Sequence, residues 1–143
     1  MTQPELQELA KQTANGYGLD PALVCAVIEQ ESAWDTYAIR FEDGFYMRYV
    51  KPLALPSLTE SISRSFSWGL LQVMGQVARE FGFKERYLSS LMVPLNGIDV
   101  GCRVLRAKLN SKPSSVEAGL LAWNGGSNTQ YPSQVLARKD KYA

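Results

Sequence analysis

The chain has 143 residues, enough for one domain (1–143) with one core, and its formal net charge of +1 offers no strong field to attract nucleic acid. Its 45% hydrophobic and 20% charged residues are ordinary for a globular protein. There is no histidine, which excludes Ser–His–Asp and Cys–His catalysis and imidazole-dependent zinc sites, and two cysteines are too few for a Cys-only one.

No apolar run is long enough to span a bilayer, so no membrane insertion is expected. The opening MTQPELQELAKQ has neither a positive n-region nor an apolar h-region, and no signal peptide is expected. Residues 3–14 predict a short amphipathic helix with Leu6 and Leu9 inward, followed by a turn at Tyr17-Gly18-Leu19 that Gly16 and Gly18 make easy. Asp20–Ser32 predicts the central helix. Asp20 suits the N-cap, Pro21 the first helical position, and Val24, Val27 and Ile28 form one apolar stripe. Glu29 points the other way and is expected in solvent. Cys25 here and Cys102 further on have no neighbouring base or Cys-x-x-Cys spacing and read as two buried thiols.

Helical patterning stops after Ser32. Arg40–Arg64 holds Phe41, Phe45, Tyr46 and Tyr49 among Arg40, Arg48 and Lys51, with two prolines and a glycine. Two readings stay open: a substrate-binding lobe whose aromatic faces stack on sugar rings, or a long loop pinned by its own apolar cluster. Asp43-Gly44 is also a hairpin-turn signal, so the lobe is expected to be irregular or to contain a hairpin. Residues 65–75 lead into a helix running to about Gly82, with Leu71, Val73, Met74, Val77, Ala78 and Phe81 apolar. A short helix or turn follows over Lys84–Leu91. Pro94 opens a longer helix through Leu109, and Ser115 caps one running through Trp123. Asn124-Gly125-Gly126-Ser127-Asn128 breaks that helix, and a last helix covers Tyr131–Arg138. The fold class is mainly α, with little strand signal and no repeats.

With histidine absent, acid–base chemistry falls to carboxyls, Tyr, Lys or Cys. Glu31 continues the stripe of Val27 and Ile28, where a helix ordinarily buries a Leu. Desolvation raises a carboxyl pKa, and a carboxylic acid still protonated near neutral pH is what a glycosidase uses to protonate a departing sugar oxygen. A Glu that merely ends its helix at the domain rim fits the same periodicity.

Three segments occur in order: a helix ending in Glu31-Ser32, then Gly69-Leu70-Leu71-Gln72-Val73-Met74, then Ala122-Trp123-Asn124-Gly125-Gly126. Pro94, Asn96 and Gly101 lie between the second and third. Together, over residues 20 to 128, they resemble the soluble lytic transglycosylase domain, whose fold is similar to goose-type lysozyme. The resemblance implies an α+β lysozyme-like fold and cleavage of the N-acetylmuramic acid–N-acetylglucosamine bond of peptidoglycan. It implies Glu31 as the catalytic acid, Ser32 shaping the helix end, Gln72 and Met74 lining the glycan groove, and Asn124 as the asparagine of Ala-Tyr-Asn. Ser63, Ser65 and Ser67 are alternatives for the groove serine; Tyr46 and Trp123 would offer stacking faces. The chain departs from the family in having Trp123 for the tyrosine of Ala-Tyr-Asn, so a hydroxyl there would have to come from a residue such as Tyr131. It departs also in Ser67-Trp68 and in the length of Arg40–Arg64.

The implied reaction uses one carboxyl, no cofactor and no metal. Glu31 protonates the bridging oxygen, then takes the muramyl C6 hydroxyl proton as that oxygen closes on the anomeric carbon, leaving an anhydro end. A lysozyme would instead use water and a second carboxylate, for which Asp35, Glu42, Asp43 and Glu60 are candidates. A glycan-binding module that does not cleave is the reading from a different class. The expected partner is the peptidoglycan glycan strand, acted on by a monomer in the periplasm or outside the cell. Without an export signal this fits a holin-released phage endolysin, a domain of a larger exported enzyme, or a mature chain.

Overall fold

The computed structural model describes residues 1–143 and is mainly helical with a small sheet. Helix α1 spans Gln3–Gly16, opened by a Thr2–Glu5 capping box, and α2 spans Pro21–Ser32, capped where Asp20 accepts from the Ala22 N–H at 2.9 Å. Every residue of α2 from Ala22 to Ile28 is buried, so the helix is enclosed all round rather than along one stripe. α1 packs on one side, and α8 (Tyr131–Lys139) with the terminal 3-10 turn Asp140–Tyr142 on the other. The last turn of α2 ends in Ala33, which takes the left-handed conformation at φ 50°.

Glu29 is not in solvent. Its side chain is 16% exposed and accepts from Arg138 Nη1 at 2.7 Å, Lys141 Nζ at 3.0 Å and the Tyr142 hydroxyl at 2.5 Å. The C-terminal segment covers the flank of α2 that the stripe leaves outside.

The sheet is antiparallel in the order β1 (Ile39–Phe41), β2 (Phe66–Trp68), β3 (Val73–Met74). Arg40 sits opposite Ser67, and Ser67 opposite Met74, making one cross-strand row. The 42–65 lobe is therefore the excursion between two paired strands, but it is helical inside. Asp43-Gly44 starts the short helix α3 (Asp43–Phe45) rather than turning a hairpin. A π-helical turn Tyr46–Val50, a 3-10 turn Lys51–Leu53 and α4 (Leu58–Ser63) follow. Strand pairing for this stretch comes from β2, distant in sequence, so a local turn signal does not decide it.

The helix expected to run to about Gly82 is α5 (Gly75–Glu80), and Leu71 and Val73, expected among its apolar positions, precede it in a turn and a strand. A 3-10 turn, Leu88–Met92, leads to α6 (Pro94–Ser111). α7 (Val116–Asn124), capped by Ser115, then ends at Gly125 in the left-handed conformation at φ 91°. Cys25 and Cys102 are buried free thiols, and burial pushes them up to about 11 and about 12.

Candidate active site

One cavity of about 470 Å³ opens between the sheet, the lobe and the α6–α7 pair. The Arg40–Ser67–Met74 row lines it, with Gln72 and Val73 beside that row, Glu42 and Phe45 from the lobe, Val77 from α5, and Val104 and Lys108 from α6. Trp123, Asn124 and Ser127 close the far side, and Glu31 enters from the last turn of α2.

Glu31 is partly buried and its Oε2 accepts two hydrogen bonds, from the Tyr131 hydroxyl at 2.5 Å and from Trp123 Nε1 at 3.2 Å. Desolvation pushes its carboxyl above the ordinary carboxylate range, against the opposing pull of those two donors and of the Arg40 charge. Its position at the C-terminal end of α2, where the helix carbonyls project, disfavours the anion further. Tyr131 is itself raised, by burial first and then by the neighbouring Glu31, so its hydroxyl keeps its proton and acts as a donor. The hydroxyl that Trp123 cannot provide thus reaches Glu31 from α8.

Gln72 takes a left-handed backbone at φ 50°, uncommon for a side-chain-bearing residue. Its Nε2 donates to the carbonyls of Ala38 and Gly69, both at 2.8 Å, which leaves Oε1 as an acceptor for another group. The Ser67 hydroxyl donates to Met74 Sδ at 3.1 Å, fixing both on the cavity wall. Asn124 Nδ2 is buried without a partner.

Three expected residues lie elsewhere. Ser32 Oγ donates back to the Ile28 carbonyl at 3.1 Å and shapes the helix end without lining the cavity. Ser65 is fully buried in the turn after α4, its N–H bonded to the Ile62 carbonyl, so strand alternation does not carry it to the Ser67 face. Tyr46 packs on Phe41, ring centroids 6.0 Å apart, and its neighbour Phe45 lines the cavity instead. About 100° of helical rotation separates consecutive residues, and no pattern in the aromatic cluster predicts which faces inward.

Among the other carboxylates, only Glu42 reaches the cavity, and it is paired to Arg40 at 2.6 Å. Asp35 accepts from the Tyr37 N–H in a local turn, Asp43 is exposed, and Glu60 binds Arg64 and Arg79 at 2.7 and 2.8 Å away from the site. Val104 and Lys108 went unnoticed in the sequence. They sit four residues apart on α6, off the Ile98–Cys102–Leu105 stripe, and an apolar residue off the stripe is the signal that would have found them.

The family described as Transglycosylase SLT domain matches residues 8–142, nearly the whole chain. Comparisons with curated proteins and with solved structures found no match.

Proposed function

The chain belongs to the transglycosylase SLT domain family, and from that premise we propose that Glu31 is the single acid–base group of a peptidoglycan lytic transglycosylase. The family's activity is lytic-transglycosylase cleavage of peptidoglycan glycan strands, at the bacterial cell wall. The observation that carries the assignment to Glu31 is its raised carboxyl, held by Tyr131 and Trp123 at the edge of the cavity.

Glu31 starts protonated and gives its proton to the glycosidic oxygen as the bond to the muramyl anomeric carbon breaks. The remaining sugar becomes oxocarbenium-like, assisted by its N-acetyl oxygen. Glu31, now anionic and stabilised by the Tyr131 and Trp123 donors, accepts the proton of the muramyl C6 hydroxyl. That oxygen closes on the anomeric carbon and no water is consumed. Gln72 Oε1, the unpartnered Asn124 amide and the Ser67 hydroxyl orient the glycan, with Phe45 and Trp123 as apolar faces.

Glu42 favours one second reading, hydrolysis with a second carboxylate, because it lines the same cavity. Mass spectrometry of muropeptides released from purified peptidoglycan separates the two. Ends lighter by one water than reducing muramic acid are expected, and Glu31→Gln should lose about 10²–10⁴-fold in rate. Ordinary reducing ends abolished by Glu42→Gln would establish the hydrolase instead, and release of the same products by Glu31→Gln would remove Glu31 from the chemistry.

A further inference from the structure

Four charged groups line the cavity: Glu31, Arg40, Glu42 and Lys108. Arg40 and Glu42 neutralise one another at 2.6 Å. Glu31 must be uncharged to begin the reaction proposed above. Lys108 is left over. It is half-buried, forms no ion pair with any carboxylate of the chain, and emerges one turn beyond Val104, which is buried in the cavity wall. The cavity that receives substrate thus carries one uncompensated cation at its α6 side. Uncharged sugar hydroxyls and acetamido groups give such a cation only neutral acceptors. A muramyl unit bearing a peptide adds carboxylates, and a carboxylate on an ammonium forms the stronger, charge-assisted hydrogen bond.

We infer that Lys108 is a specificity-determining residue that binds a carboxylate of the peptide stem, so that the site takes anionic, peptide-bearing glycan in preference to the same glycan with its charge removed. The inference rests on the glycan-cleaving reading. A cation in the last turn of α6 also complements the helix carbonyls, a structural role that Lys108 can fill without touching substrate. The two roles differ in what they do to substrate choice.

The test compares native sacculi with sacculi whose carboxylates have been amidated by carbodiimide and methylamine. Wild type should show a native-to-amidated ratio of kcat/KM of about ten, carried by KM and shrinking in high salt, the size of one charge-assisted hydrogen bond. Lys108→Gln should bring that ratio to about one, and Lys108→Arg should restore it. A purely structural lysine would lower the melting temperature of Lys108→Gln and leave the ratio at its wild-type value, which overturns the inference. So would a wild type indifferent to amidation. Release of no muropeptides by wild type from either substrate would instead overturn the glycan-cleaving reading, and this inference with it.

Discussion

At the scale of single residues, the site turns on which way the Glu31 proton is pulled. Desolvation holds the proton on, while the Tyr131 hydroxyl, the Trp123 N–H and the Arg40 charge pull toward the anion. A general acid that must later act as a base needs both tendencies, since one that is too strongly neutral cannot be re-formed as an anion between steps. Tyr131→Phe deletes the shorter of the two hydrogen bonds to Oε2 and little else, because the ring stays buried. The Glu31 carboxyl should then rise further above the carboxylate range. As the acid form is the one that starts the proposed reaction, the alkaline limb of the kcat/KM–pH profile should move to higher pH, with a lower plateau. A limb that moves to lower pH would mean that the phenol stabilises the neutral acid instead. Glu31 was legible in the sequence because a carboxylate stood in an apolar stripe. Tyr131 was legible only as a conditional replacement, since nothing local links residues 100 positions apart.

At the scale of elements, the turn that carries Gln72 is set by α6. Leu71 is fully buried, and a Cβ built on Gly101 would collide with its side chain; a Cβ on Gly97 would meet the Leu91 carbonyl. Only hydrogen at Gly101 lets the 69–72 turn lie so close to α6, and only hydrogen at Gly97 lets the Leu88–Met92 turn do the same. Gly101→Ala should therefore destabilise by about 1–3 kcal/mol through overpacking and lower kcat/KM by displacing Gln72 along with Leu71. Gly44, with open space around its Cβ position, is the control, and Gly44→Ala should leave the melting temperature within a degree or two. Equal melting temperatures for the two variants would show that the turn gives way at no cost. The same crowding explains why this region was misread in sequence. Leu70, Leu71 and Val73 are all buried, so the apolar run carries no strand alternation and resembles the helix that starts only at Gly75. Five helices, α1, α2, α6, α7 and α8, were legible because their starts are written locally, as in Asp20, Pro21, Pro94 and Ser115. The lobe was not, because its strands pair across more than twenty residues.

At the scale of the whole molecule, the C-terminal segment holds α2 at both ends. Lys139 meets the N-cap Asp20 at 2.8 Å, and Arg138, Lys141 and Tyr142 converge on Glu29, with Trp34 Nε1 donating to the Tyr142 hydroxyl at 2.9 Å. Tyr131, at the other end of the same segment, holds Glu31. The helix that carries Glu31 is thus held by residues a hundred or more positions later in the chain. Desolvation works to raise Glu29, but the Tyr142, Lys141 and Arg138 donors outweigh it and bring the carboxyl down to about 2. An unfolded Glu titrates near about 4.3. Because the folded value is the lower one, this cluster stabilises the protein fully above about pH 4.3, and the contribution is lost as pH falls toward about 2. Glu29→Gln should therefore lower stability at pH 7 by about 1–3 kcal/mol, leaving Arg138 and Lys141 without their anion. It should also flatten the decline between pH 4.5 and 2, so that the two melting-temperature curves converge in acid. Thermal unfolding across that range measures both effects. Parallel curves would mean that the acid-sensitive group lies elsewhere and that the clasp on α2 holds by packing alone.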